Sequence, residues 1–156
     1  MSEVETFIPH REPFLFVDEI VRADAEKIVG RRSYSKERDT FFAGHFPEYP
    51  VVPGVLLVEA MAQCGGAGLR KAGLLGGESL FFLATIDKAK FRKQVVPGDT
   101  VRFEISNERI GGKMIVQSGK VFLVTEGLTE GRENEEVAAE ASWKCIVGEA
   151  PVQNKV

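Results

Sequence analysis

Two histidines are available in this sequence to act as a base near neutral pH, His10 and His45. His10 precedes Arg11 and lies close to Pro9 and Pro13, an irregular setting in which a turn or surface role is expected ahead of catalysis. His45 sits between Gly44 and Phe46 in a loop stiffened by Pro47, Pro50 and Pro53, and that loop feeds directly into an apolar segment, Val55 to Ala72. Taken alone, a loop histidine is more often structural than catalytic. Glu59 alters that weighing: it is the only charged residue between Gly54 and Leu69, and a carboxylate inside an apolar helix is costly unless something holds it there. Gln63 falls four residues on, on the same helix face, where its amide can fix the carboxyl group in one orientation. A structural Glu–Gln pair closing a buried gap accounts for these two residues equally well. Burial would also raise the pKa of Glu59, which suits a group that must donate a proton near neutrality. The third component is backbone. Pro53 suits the first helical position, so the N–H groups of Gly54 and Val55 would project from the positive end of the helix and could bind an oxyanion. Gly54 would let a ligand approach the main chain closely. A Pro-Gly pair that merely starts a helix is the commoner arrangement, but a base, a buried acid and an oxyanion site within fifteen residues are harder to dismiss together.

The rest of the chain must hold these groups in place. Phe14 to Val21 is rich in Phe, Val and Leu and reads as a strand, with Lys27 to Ser35 returning beside it after a turn at Ala23-Asp24-Ala25. Prolines 47, 50 and 53 forbid continuous helix or central strand in the loop from Lys36 to Pro53. From Val55 to Ala72 apolar residues lie all round a helical wheel, the pattern of a helix wrapped on every side. Strand patterning then covers Leu80 to Ile86, Thr100 to Ser106, Met114 to Thr125 and Val137 to Val147, with a hairpin signal at Gly111-Gly112. In the last segment Val137, Ala139, Ala141, Trp143, Cys145 and Val147 alternate with Glu140, Ser142 and Lys144, as in a strand with one wet face. Glu126 to Glu136 reads as a long exposed loop, residues 1–149 as a single domain and residues 150–156 as a flexible tail. Strands can bury one all-apolar helix only by curling a sheet around it, which gives the α+β class.

Composition narrows the function. Twenty Lys and Arg against 23 Asp and Glu give a net charge of −3, which provides no general basic footprint for nucleic acid or an anionic membrane. Val51 to Leu69, the most membrane-like stretch, contains Pro53, Glu59, Gln63 and four glycines and reads as a buried helix of a soluble protein. Cys64 and Cys145 lack metal-ligand or disulfide spacing and are expected to be buried reduced thiols. Met1 to Phe7 does not read as a secretory signal, so a cytoplasmic location is expected.

The string His45-Phe46-Pro47-x-x-Pro50-x-x-Pro53-Gly54-Val55-Leu56-x-x-Glu59-Ala60-x-Ala62-Gln63 resembles the signature of the FabZ-type 3-hydroxyacyl-acyl-carrier-protein dehydratases. Ile8-Pro9-His10-Arg11-x-Pro13-Phe14-Leu15-x-Val17-Asp18 and Lys90-Phe91-Arg92-Lys93-x-Val95-x-Pro97-Gly98-Asp99 resemble two further family motifs in the same order, so the likeness covers roughly residues 8–147. It implies a hot-dog fold, a long helix wrapped by a curved antiparallel sheet. It implies that His45 is the catalytic base, Glu59 the catalytic acid, Gln63 the residue that orients it, and Gly54 and Val55 the thioester-carbonyl site. It further implies that each site combines the histidine of one subunit with the glutamate of another. The expected assembly is therefore a homodimer, and the resemblance allows a hexamer built as a trimer of dimers. One departure is Glu48, where the family usually has glycine after His-Phe-Pro.

The implied reaction is loss of water from a (3R)-3-hydroxyacyl thioester to give the trans-2-enoyl thioester in fatty acid synthesis, without metal or other cofactor. Phe81, Phe82, Leu83 and Phe91 are candidates for an apolar acyl tunnel, and most of them serve equally well as plain core. The expected partner is acyl-carrier protein bearing a phosphopantetheine-linked acyl chain. It is acidic, so the basic cluster Lys88, Lys90, Arg92 and Lys93 is a candidate contact, with a solvated strand face as the alternative. Two competing readings remain: a hot-dog thioesterase, which would hydrolyse the thioester, and a non-catalytic acyl-binding module, which would need neither His45 nor Glu59. The complete His-Phe-Pro and Glu-Ala-x-Ala-Gln motifs favour elimination.

Overall fold

A computed structural model of the chain describes residues 1–77, 79–125 and 135–149. Six strands form one antiparallel sheet: β1 (Glu19–Ala23), β2 (Lys27–Ser33), β3 (Leu80–Phe91), β4 (Thr100–Ile110), β5 (Met114–Leu123) and β6 (Val137–Gly148). Their order across the sheet is β1-β2-β4-β5-β6-β3. The one long helix among the described residues, α1 (Gly54–Lys71), lies against one face and touches all six strands. That contact is why its sequence is apolar all round: Leu57, Val58, Ala60, Met61, Cys64, Ala67 and Leu69 are all buried. Opposite them the sheet contributes Ile28, Phe103, Ile105, Ile115 and Trp143, each essentially inaccessible. The period-two reading of β6 holds, with Ala139, Ala141, Trp143 and Cys145 buried and Lys144 and Ile146 exposed.

The expected strand from Phe14 to Val21 begins only at Glu19. The reason lies in where the backbone groups of residues 14–16 find partners. The Phe14 carbonyl and the Phe16 N–H bond to the side chain of Gln63 (3.0 and 2.9 Å), and the Leu15 carbonyl accepts from Arg32 Nη2 (3.3 Å). Side chains, not a neighbouring strand, satisfy this segment. The turn at Asp24 holds: its Oδ1 accepts from the N–H groups of Glu26 and Lys27 (2.9 and 2.8 Å), closing the β1–β2 hairpin. β3 runs five residues past the expected Ile86, to Phe91. It lies at the sheet's edge, where charged residues are tolerated, and the register with β6 shifts between Asp87 and Lys90. Of the expected loop from Glu126 to Glu136, residues 126–134 lie outside the described residues, as does the tail, residues 150–156. Glu135 is no solvated loop carboxylate: it takes Arg102 through Nη1 (2.8 Å) and Nη2 (2.5 Å).

The connection from β2 to α1 is held from below by a buried ion pair. Arg32 donates to both Asp39 oxygens, at 2.6 and 3.2 Å, with neither side chain open to solvent. Asp39 also accepts from the Ser35 N–H at 3.0 Å, and the guanidinium lies 4.6 Å over the Tyr34 ring. A charge pair this dry depends on further hydrogen bonds; the Arg32 bond to the Leu15 carbonyl and the Asp39 bond from Ser35 supply some of them and pin the segment that leads to His45, while Arg32 Nε is left without a hydrogen-bond partner.

Candidate active site

His45 is set by its own loop. Its carbonyl accepts from the Val51 N–H at 2.9 Å, and its Nδ1 lies 3.0 Å from the Val51 carbonyl oxygen. A carbonyl can only accept, so Nδ1 carries a proton, and in the neutral ring the lone pair is on Nε2. That is the tautomer a general base needs. The turn that follows is closed by reciprocal bonds between Phe46 and Tyr49 (3.1 and 3.0 Å), and the Phe46 ring stacks on the imidazole with centroids 4.3 Å apart. The Val52 N–H donates to the Val95 carbonyl at 2.8 Å, fixing the loop's exit into α1.

Pro53 is the residue capping α1, one position earlier than expected, with helical residues starting at Gly54. Leu56 and Leu57 donate to the Pro53 carbonyl at 2.9 and 3.3 Å, which leaves the Gly54 and Val55 N–H groups ahead of the first bonded amides. Gly54 also makes room: a Cβ there would stand 2.8 Å from the ring of Phe91, which would have to shift.

Glu59 lies one turn further along α1, half-buried. Gln63 Nε2 donates to its Oε2 at 2.9 Å and to the Phe14 carbonyl at 3.0 Å, while Gln63 Oε1 accepts from the Phe16 N–H. Burial pushes the Glu59 carboxyl above its usual range, and the Gln63 bond offsets part of that rise. The carboxyl borders a cavity of about 280 Å³ lined also by His10, Phe14, Ala62, Phe81, Phe82, Leu83 and Cys145. Apart from Glu59, His10 and Cys145 the lining is hydrocarbon. Burial and the Glu59 charge push the Cys145 thiol up to about 11, so it stays protonated.

The expected tunnel residues separate. Phe81, Phe82 and Leu83 reach the Glu59 cavity, whereas Phe91 lies over the helix N-terminus at Gly54. The basic cluster separates too: Lys88 and Lys90 face a groove on the outer side of the sheet with Lys27 and Lys120. Arg92 pairs with Glu140 at 3.3 Å and Lys93 with Glu136 at 4.0 Å. His45 does not line the Glu59 cavity of its own chain. His10, expected at a turn or the surface, does: its Nε2 is 3.7 Å from Glu59 Oε2. No local pattern announces this. The contacts that draw the segment over the helix, from Gln63 to residues 14 and 16, are tertiary and leave no mark in the sequence. Among the described residues no cluster of three or more His, Cys, Asp or Glu side chains could hold a metal ion, and no helix is long and apolar enough to cross a membrane.

One helix laid across a six-stranded antiparallel sheet is the hot-dog fold, and solved structures of that class superpose on the chain. The dehydratase heterocomplex ApeI:P from Xenorhabdus doucetiae matches with a TM-score of 0.70 at 15% identity, covering 94% of this chain and 91% of that one. A hypothetical thioesterase with coenzyme A from Streptococcus pneumoniae matches with a TM-score of 0.59 at 9% identity, over 94% and 92% of the two chains. At these identities the likeness establishes the fold alone. Sequence goes further: the FabA-like domain model matches residues 8–132. The 3-hydroxyacyl-acyl-carrier-protein dehydratase FabZ of Pelotomaculum thermopropionicum is 40% identical over 148 residues, 94% of this chain and 97% of that protein. Its counterpart from Clostridium perfringens is 41% identical over 127 residues, 81% and 88% of the two chains. The chain therefore belongs to the FabA-like family and, within it, to the FabZ-type dehydratases.

Proposed function

We propose that this protein removes water from (3R)-3-hydroxyacyl thioesters carried on acyl-carrier protein, with His45 as base and Glu59 as acid. The observation that carries the assignment is the Glu59 carboxyl, raised by burial and aimed by Gln63 at an apolar cavity. In that reaction His45 Nε2 takes the C2 proton while the Gly54 and Val55 N–H groups stabilise charge on the thioester carbonyl. The C3–O bond breaks, the Glu59 proton leaves with the hydroxyl as water, and the C2 electrons form the double bond. Return of the proton from His45 to Glu59 resets the site. The acyl chain lies against Phe81, Phe82 and Leu83. Removal of either acid–base group costs about 10²–10⁴-fold in turnover, and loss of a carbonyl donor about 10²–10³-fold.

The same reading explains why His45 and Glu59 border different spaces in one chain. β3 is an edge strand whose exposed residues include Phe82, Ile86 and Phe91 at 52%, 50% and 53% exposure. An edge this long and apolar is normally covered, and a second copy paired along it would bring the loop of one subunit to the helix of the other. The active species is accordingly a homodimer, and a trimer of dimers is compatible with it. Acyl-carrier protein is steered by the exposed cations of Arg92 and Lys93, whose pairs with Glu140 and Glu136 lie at the surface. The setting of the reaction is fatty acid synthesis in the cytoplasm.

The deciding assay is hydration of a trans-2-enoyl-acyl-carrier-protein by the purified protein, followed as loss of enoyl absorbance with a parallel assay for free thiol. Loss of absorbance without thiol is the expected result. Thiol release would move the assignment to a thioesterase, and neither signal across several chain lengths would leave a binding module. His45→Ala and Glu59→Gln should each lower the rate at least about 10²-fold, and near-normal activity in either would refute its role.

A further inference from the structure

His10 stands outside the reaction as set out above yet shares its cavity. Its Nε2 faces Glu59 Oε2 at 3.7 Å, and its ring lies 6.1 Å from that of Phe81. The opposite nitrogen, Nδ1, is buried without a hydrogen-bond partner. A proton on Nδ1 would be an orphaned buried donor, a rarer and costlier state than an unpaired acceptor, so the ring proton belongs on Nε2. Burial and the neighbouring Arg11 push the imidazole below the usual histidine range, so the ring is neutral at pH 7. The other titratable groups lining its cavity are Glu59 from α1 and Cys145 from β6, while β3 presents only Phe81, Phe82 and Leu83. The Arg11 guanidinium is occupied by carbonyls, donating to Ile8 (2.9 Å), His10 (2.7 Å) and Glu5 (3.1 Å), and so anchors the segment that carries the imidazole.

Gln63 already donates to Oε2 of Glu59. A second donor aimed at the same oxygen decides where the acid proton resides. We propose that His10 is a positioning residue for Glu59: its Nε2–H, together with the Gln63 amide, occupies Oε2 and reserves Oε1 for the proton that leaves with the substrate hydroxyl. The contact is longer than a hydrogen bond and must shorten when substrate displaces water from the cavity. The proposal rests on Glu59 being the acid.

Two substitutions separate this role from a structural one. His10→Gln places an amide donor near the position of Nε2, whereas His10→Asn places it near Nδ1 and leaves Oε2 to Gln63 alone. His10→Asn is expected to lower kcat about 10-fold with KM within about twofold. The alkaline limb of kcat should also move to higher pH, because a donor that stabilised the carboxylate is gone. His10→Gln should recover most of the rate and return the limb. Equal rates in the two variants with an unmoved limb would overturn the proposal. Histidine-selective 15N NMR of the wild-type protein tests it without any variant at His10, the His10 signals being identified by their persistence in His45→Ala. A neutral Nε2–H tautomer at pH 7 is expected, and an Nδ1–H tautomer or an imidazolium would overturn it. Glu59→Gln assayed alongside distinguishes the failures: if it stays active, the acid assignment falls and the His10 role with it. If it is inactive while the His10 variants behave alike, the His10 role falls alone.

Discussion

The Phe16 N–H can only donate, and that constraint runs through Gln63 to the acid. It fixes Gln63 Oε1 on its own side, so the amide NH₂ must face Glu59 and the carboxyl must accept. The Glu–Gln pair was legible in the sequence because four-residue spacing on a helix leaves little freedom. The partners that orient Gln63 were not, because they come from a segment 47 and 49 residues away. The same burial has a consequence for stability. The folded-state pKa of Glu59 lies above its ordinary 4.5, so the folded protein holds a proton that the unfolded chain gives up. Below about 4.5 the group is protonated in both states and costs nothing. As pH rises from there through the folded value, stability is lost. Glu59→Gln should therefore match the wild type in Tm near pH 4 and exceed it at pH 8. Thermal unfolding at the two pH values tests this, and an equal offset at both would mean the carboxyl is not desolvated.

At the scale of elements, α1 sits close to the sheet because of what its side chains lack. A Cβ at Gly68 would stand 2.3 Å from Cγ2 of Ile28, which is fully buried and registered between β1 and β4. Helix propensity alone favours alanine by about 1 kcal/mol, but overpacking a rigid site costs about 1–3 kcal/mol. Ile28 has nowhere to go, so the clash wins. Gly68→Ala should lower the denaturation midpoint, and an unchanged or higher midpoint would show that β2 yields. The loop carrying His45 depends on a different element contact. Asp39→Ala strands the Arg32 charge in the interior, a loss on the order of 3–5 kcal/mol, and should disorder the His45 loop, read as faster amide exchange at Val51. Helix and β6 were legible because each repeats a pattern over many residues, and the hairpins because turn residues mark them. The start of β1 was not: Phe14 to Val17 has strand composition, but Gln63 and Arg32 take its backbone groups, and a tertiary contact leaves no local period. β3 exceeded its expected end for the complementary reason, since Asp87 and Lys88 look like a terminus unless the strand is known to be an edge.

At the scale of the molecule, the proposal that one chain holds half of each site has no source in any sequence period; it came only from the family motifs. Two observations are compatible with that proposal: Glu59 opens onto a cavity that His45 of the same chain does not line, and Phe82, Ile86 and Phe91 are exposed on the edge strand β3. Sedimentation should give a mass of at least twice the 17.2 kDa chain, and Ile86→Lys, which places a charge on the exposed edge, should lower both mass and turnover together. A stricter experiment mixes two inactive variants. His45→Ala and Glu59→Gln, unfolded together and refolded in equal amounts, pair at random, so half of the dimers are mixed. In a mixed dimer one site draws His45 and Glu59 from the two intact halves, and the other site receives both lesions. Activity should therefore return to about a quarter of the wild-type value, as two-fold symmetry of the sites requires. If each site were contained within one chain, no pairing could restore it, and the mixture would stay as inactive as its components.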